Sequence, residues 1–177
     1  QHRQATCVEQ QNRQRRGLRF IVPVVPGLRH LIEPLRKQHA SGVQIDLLDG
    51  RSHDALAACD VALVASGTAT LEAALFKRPM VIAYAMHPLS WQMMKRMKYQ
   101  PWVGLPNILL KDFAVPELLQ SDATPAKLAQ AALAWLDDPA RCAALKERFD
   151  ALHLQLRCNT AKAATDAIEK VLAGEPA

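Results

Sequence analysis

The 177 residues are half apolar, carry a net charge of +5 and include four cysteines. That is enough chain for one domain with a substantial core, and no apolar run reaches the length of a membrane-spanning helix. No His/Cys cluster has the spacing of a zinc site and no CxxC pair occurs. Cys59 and Cys142 sit beside Ala and Leu in helix-like patterns and read as small buried hydrophobes in a reducing compartment. The positive charge is uneven: residues 1–40 hold eight Lys/Arg against only Glu9 and Glu33. A basic end of this kind can meet nucleic acid, anionic lipid or phosphorylated substrates. A solvated basic helix is the simpler reading.

The chain opens on Gln1-His2-Arg3-Gln4, with neither an initiator Met nor the apolar core of a signal peptide. It reads as the interior of a longer protein, with residues 1–17 the remnant of a helix stopped by Gly17. Leu18 to Val25, LRFIVPVV, is a β-branched run that predicts a buried strand. Pro23 inside it cannot donate to a ladder, which points to an irregular or edge position. Leu28, Leu31, Ile32 and Leu35 recur at helical spacing, giving a helix from Leu28 to His39. Val43 to Gly50 reads as a strand and turn, and Ser52 as the cap of a short helix through Cys59. Val61–Ala65 is a strand buried on both faces, Thr68–Lys77 a helix, Pro79–Tyr84 a strand and Pro88–Lys98 a Met-rich helix. Trp102–Leu105 is expected as a short strand.

After Asn107 no further strand is expected. Thr124-Pro125 opens a helix to Leu136, Asp138-Pro139 one to about Arg157, and Asn159 caps one to about Leu172, each with a cap residue and two of them with proline just inside. Alternating strands and helices predict an α/β chain with a Rossmann-like parallel sheet over residues 18–137, followed by C-terminal helices over 138–177.

The most informative turn is Ser66-Gly67-Thr68, at the end of one strand and the start of a helix. Ligands of open parallel sheets bind beyond the carboxyl ends of the strands. Helix N-termini offer unpaired N–H groups and a positive dipole, so this turn is a candidate phosphate cradle. Gly67 lets the backbone approach a ligand, and Ser66 and Thr68 add hydroxyls. Glu72, four residues after Thr68, can accept from a ribose diol. The plainer alternative is a helix cap with a first-turn acid favoured by the dipole. Neither the GxGxxG fingerprint nor a Walker A loop is present.

The segments LLDG, ASGTATLEAAL, PMVIAY with Met86 and Pro88 after it, GLPNILL and LHLQLRCN follow in order over roughly residues 18–172. Together they resemble the lipid A disaccharide synthases, bacterial inverting glycosyltransferases of two-domain GT-B architecture. The resemblance implies the C-terminal, donor-binding half. The family condenses UDP-2,3-diacylglucosamine with 2,3-diacylglucosamine 1-phosphate (lipid X), releasing UDP, in the cytoplasm or at the inner membrane of Gram-negative bacteria. It implies Ser66, Gly67 and Thr68 at the UDP phosphates, Glu72 at the ribose, Met86 near the uracil and Asn107 at a position important for handling the donor. No cofactor and no metal are implied, and no paired carboxylates are placed to hold Mg²⁺ beside a diphosphate. The family's proposed carboxylate base and its LPGSR loop lie in parts not found in these 177 residues, so no catalytic residue is expected here. Ala85 stands where the family commonly has Arg, which removes any contact from that Arg.

Pro88–Trp102 mixes apolar and basic residues. Trp91, Lys95, Arg96, Lys98 and Trp102 are candidates for contact with an anionic membrane surface. The alternative is a core-facing helix, most of its Met residues inside and its basic residues snorkelling out. The tail resembles helices that exchange between subunits, which implies a possible homodimer. Two competing readings stand beside this one: another UDP-sugar GT-B transferase, and a non-catalytic nucleotide-binding or basic interaction module. Nucleic acid is not expected as a partner.

Overall fold

The computed structural model describes residues 11, 15, 17–40, 42–65, 67–97 and 100–174. Most of the expected N-terminal helix lies outside them, although Gln11 is helical and Gly17 adopts a positive φ of 86°. The described elements run β1 (Phe20–Val24), α1 (Arg29–His39), β2 (Ile45–Asp49), α2 (Ser52–Ala58), β3 (Ala62–Ala65), α3 (Thr68–Leu75), β4 (Met80–Tyr84), α4 (Pro88–Met97) and α5 (Leu105–Leu110). β5 (Glu117–Leu119), a 3₁₀ turn, α6 (Pro125–Leu136), α7 (Pro139–Leu156) and α8 (Thr160–Leu172) complete the chain. Every strand pair is parallel, as strand–helix–strand crossovers require. The chain is thus a Rossmann-like α/β unit with a helical C-terminal segment. Its strands form two sheets, β2-β1 and β3-β4-β5.

The hydrogen bonds explain Pro23. The Phe20 amide donates to the Gln44 carbonyl at 3.4 Å, and the Val24 carbonyl accepts from Gly50 at 2.8 Å. Backbone groups alternate sides along a strand, so residues 20, 22 and 24 face β2 while Ile21 and Pro23 face away. The missing N–H therefore falls on the unpaired edge, where it costs no ladder bond. β3 behaves likewise: the Ala62 amide donates to Pro79 at 2.9 Å, which turns Leu63 and Ala65 away from β4.

Three expectations need correction. Trp102–Leu105 is not a strand. Gly104 has extended backbone and α5 starts at Leu105, with Pro106 in its first turn, where proline is at home. A strand does follow Asn107, namely β5; three residues after a proline are too few to show an alternating pattern. Ser52 does not cap α2 but is its first helical residue, with Arg51 at the cap position and no side-chain cap bond. The three C-terminal caps are as expected: Thr124, Asp138 and Asn159 accept from the amides of Lys127, Arg141 and Lys162.

The core gathers on the three-stranded sheet. Met80, Val81 and Ile82 of β4 are fully buried, with Val115, Leu128 and Trp135 against them. α7 joins this core through Leu145, Phe149 and Leu152, whereas Ile168, Val171 and Leu172 of α8 stay exposed. Cys59 and Cys142 pack against the cluster from its margin, and burial pushes both thiols above their ordinary range. Among the described residues no helix is long and apolar enough to cross a membrane.

Candidate functional site

All five strands end at the carboxyl edge of their sheets, and the turn after β3 opens there. Gly67 caps α3 with φ 122° and ψ −162°, a region that is essentially restricted to glycine. A Cβ built on it would meet nothing within 4 Å. Torsion, not crowding, thus demands glycine here, and the space in front of the turn is open. With no side chain, Gly67 cannot cap the helix, so α3 presents its first amides outward. Thr68 is exposed beside it. Ser66 lies outside the described residues.

The turn is fastened from behind by a residue that sequence reasoning missed. Thr70 is fully buried. Its hydroxyl donates to the Gly67 carbonyl at 2.7 Å and accepts from the Leu105 amide at 3.3 Å. It ties the start of α3 to the start of α5. A threonine inside a helix gives no hint of this in sequence, because its partner lies 35 residues away.

Glu72 projects one turn further along α3, on the same side as Thr68. Its side chain is 44% exposed, and its Oε2 lies 3.9 Å from Nε2 of His53 on α2. The His53 ring in turn lies 5.5 Å from that of Phe76. The carboxylate is thus held on a rim with an imidazole neighbour, free to accept further hydrogen bonds. Only the packing of α2 beside α3 reveals His53.

Met86 follows β4, the strand that lies between β3 and β5. It is half-buried, and its amide donates to Gln120 Oε1 at 3.4 Å, so it leaves the sheet at the same edge as Gly67. His87 is exposed, and its Nδ1 accepts from the Leu89 amide at 3.4 Å, at the start of α4.

Asn107 sits apart from this open edge and is completely buried. Its Nδ2 donates to the Val115 carbonyl and to Glu117 Oε1, both at 2.8 Å, and its Oδ1 accepts from the Val115 amide at 3.0 Å. Glu117 also accepts from the Val103 and Gly104 amides at 2.9 Å. A Cβ on Gly104 would run into the Ile82 side chain, so glycine is needed there for close packing. The structure therefore brings Gly67, Thr68, Glu72 and Met86 to one edge. It puts Asn107 beneath that edge, as a brace for α5 and β5.

Three of the described arginines near the chain start are engaged with carboxylates. Arg15 pairs with Asp137, Arg19 with Asp46, and Arg29 with Asp49 at 2.7 Å. The hydrogen bond to Asp49 makes the Arg29 guanidinium still harder to deprotonate. These side chains are committed to carboxylates and do not form a free anion-binding stripe. No group of three or more His, Cys, Asp or Glu able to hold a metal occurs among the described residues.

Of the greasy helix, Met93 is 63% exposed rather than core-facing. The side chains of Met94, Lys95, Arg96 and Met97, and all of Lys98, lie outside the described residues. Trp102 is half-buried and packs at 6.2 Å against Phe113.

A family model described as lipid-A-disaccharide synthetase matches residues 3–170. The lipid-A-disaccharide synthase of Albidiferax ferrireducens is 54% identical over 167 residues, covering 92% of this chain and 43% of that protein. The Verminephrobacter eiseniae synthase is 53% identical, covering 90% and 42%, and that of Azoarcus sp. 56%, covering 76% and 34%. The chain spans less than half the length of these relatives.

Proposed function

The chain belongs to the lipid-A-disaccharide synthetase family, and from that premise we propose that it forms the UDP-sugar-binding part of a glycosyltransferase. The whole enzyme would move 2,3-diacylglucosamine from its UDP donor onto lipid X, releasing UDP in lipid A biosynthesis. The observation that carries this reading is the open N-terminus of α3 behind Gly67, at the carboxyl edge of a parallel sheet.

In this reading Ser66, Gly67 and Thr68 receive the diphosphate. Outward-pointing amides and the helix dipole stabilise the negative charge that develops on departing UDP, without a metal. Glu72 accepts from the ribose hydroxyls, and Met86 offers an apolar surface to the base. Asn107 serves the donor indirectly, by holding α5 and β5 under the crevice. The base that takes the acceptor proton belongs to the remainder of the enzyme.

The test is calorimetric titration with UDP, with ADP as control, on this chain joined to the part of the Albidiferax ferrireducens synthase that the match leaves uncovered. UDP is expected to bind and ADP to bind at least tenfold more weakly. Glu72→Ala is expected to weaken UDP binding by about 1–3 kcal/mol, the range for losing hydrogen bonds to a charged group. Unchanged affinity would remove Glu72 from the site, and equal binding of ADP would sink the uridine reading.

Two surfaces support partners of the acylated chemistry. Leu89 and Met93 of α4 are 74% and 63% exposed, and Phe113, which packs against Trp102, is 57% exposed, a profile suited to the interface of an anionic bilayer. Ile168, Val171 and Leu172 expose an apolar stripe on α8 suited to a second copy. Leu89→Asp is expected to reduce co-sedimentation with phosphatidylglycerol vesicles, and Ile168→Asp to lower the dimer fraction in sedimentation velocity. Either variant behaving as the parent would discard its surface.

A further inference from the structure

Thr70 does more than fasten one helix to another. A buried hydroxyl must find partners or cost stability. That of Thr70, fully buried in the first turn of α3, finds two, and both are backbone groups at helix starts. The Gly67 carbonyl accepts twice from this one residue, from the hydroxyl at 2.7 Å and from the amide at 3.1 Å. The amide of Leu105, the first residue of α5, donates to the hydroxyl oxygen at 3.3 Å. An amide N–H can only donate, so it takes a lone pair of the hydroxyl and leaves the hydroxyl proton for the Gly67 carbonyl. The series therefore has one direction, from the Leu105 N–H through the Thr70 O–H to the Gly67 C=O.

The consequence falls on Thr68. A trans peptide group is planar, with its C=O and N–H pointing in opposite directions, and no cis bond occurs among the described residues. Holding the Gly67 carbonyl down on buried Thr70 turns the Thr68 amide of the same peptide outward, into the open space in front of the turn. Gly67 needs this restraint more than another residue would. At φ 122° and ψ −162° it has no Cβ to limit its backbone, and glycine reaches many other conformations at little cost. No side-chain cap bond holds the start of α3 either. Hydrogen bonds in series polarise one another, so donation to the Gly67 carbonyl also makes the Thr68 amide a stronger donor to an anion.

We infer that Thr70 is a positioning residue for the diphosphate: its hydroxyl, oriented by the start of α5, aims the Thr68 amide at the phosphate oxygens. This rests on the reading of the Ser66–Thr68 turn as the diphosphate site. Being buried, Thr70 touches no ligand itself. It acts through the peptide between Gly67 and Thr68, and it makes the turn depend on α5, the helix that Asn107 and Glu117 brace.

The test uses the same joined protein, this chain with the uncovered portion of the Albidiferax ferrireducens synthase. Dissociation constants are measured for UDP by calorimetry and for uridine by NMR titration, at one salt concentration. Their ratio isolates what the phosphates add, whereas a loss of stability alone weakens both ligands alike. Thr70→Val removes the hydroxyl with little change of shape. Thr70→Ala removes it in the residue of best helix propensity, and serves if the Val variant does not fold. Thr70→Ser keeps the hydroxyl. The Val and Ala variants are expected to weaken UDP about tenfold, the scale of one hydrogen bond to a charged group, with uridine unchanged. Thr70→Ser is expected to keep the parent's ratio. A parent ratio retained without the hydroxyl overturns the proposal and leaves the turn as the phosphate site. A ratio lost in Thr70→Ser as well would assign the effect to packing of the methyl group, and also overturns it. A parent that binds UDP no more tightly than uridine would sink the diphosphate reading itself, and the proposal with it.

Discussion

Trp135→Ala is expected to lower the unfolding free energy by about 4 kcal/mol, the range for deleting a large buried aromatic side chain. Trp135 is 1% exposed and packs in the cluster that joins α6 and α7 to β4. Three contributions are lost together. The indole leaves a cavity between helix and sheet. Its Nε1 no longer donates to the Met80 carbonyl, a bond of 3.1 Å that fastens α6 to the start of β4. The Arg141 guanidinium, 3.9 Å above the ring, loses its aromatic face, a smaller effect because such contacts are worth about 0.5–1 kcal/mol at exposed sites. Trp135→Phe keeps most of the apolar volume and leaves one carbonyl short of a donor, so it is expected to cost about 1–2 kcal/mol. Urea unfolding followed by circular dichroism compares the two. A loss below about 1 kcal/mol for Trp135→Ala would mean that α6 is not docked as described.

Asn107→Ala is expected to cost about 3 kcal/mol in the ligand-free protein, since hydrogen bonds to charged groups and buried unsatisfied groups each count for about 1–3 kcal/mol. The amide of Asn107 replaces a missing strand neighbour: it satisfies both backbone groups of Val115 and one oxygen of Glu117. Glu117 retains the Val103 and Gly104 amides, which limits the damage. In a double-mutant cycle with Glu117→Ala the two losses should overlap, with a coupling of about 1–2 kcal/mol, because they share a network. The resemblance to the synthases ties Asn107 to the donor; the brace implies that this dependence runs through stability. A variant as stable as the parent that no longer binds UDP would instead mean direct contact.

Local chemistry was readable without the fold. Thr124, Asp138 and Asn159 cap their helices because a side-chain oxygen needs only the amide three residues on, a matter of sequence spacing. The alternation of apolar runs and helical periods was enough for a parallel α/β chain. Gly67 between a strand and a helix marked the turn, because few residues adopt its backbone conformation.

Relations between distant parts of the chain were not readable. β5 is too short to carry a pattern and exists because β4 offers it an edge, Ile82 to Glu117 through Tyr84 to Leu119. His53 meets Glu72, and Thr70 meets Leu105, across helices whose packing no local spacing encodes. The resemblance implies a part for Asn107 in handling the donor, but nothing in the LPN segment tells that its side chain is buried and bonded to Val115 and Glu117. Pro23 announced an edge in the sequence, but only the pairing of β1 with β2 decided which side of the strand that edge is. The sequence by itself determined the elements, since each answers to its own backbone and near neighbours. The tertiary structure decided which edges and side chains face one another, since burial and hydrogen-bond satisfaction are settled only when remote segments share one core.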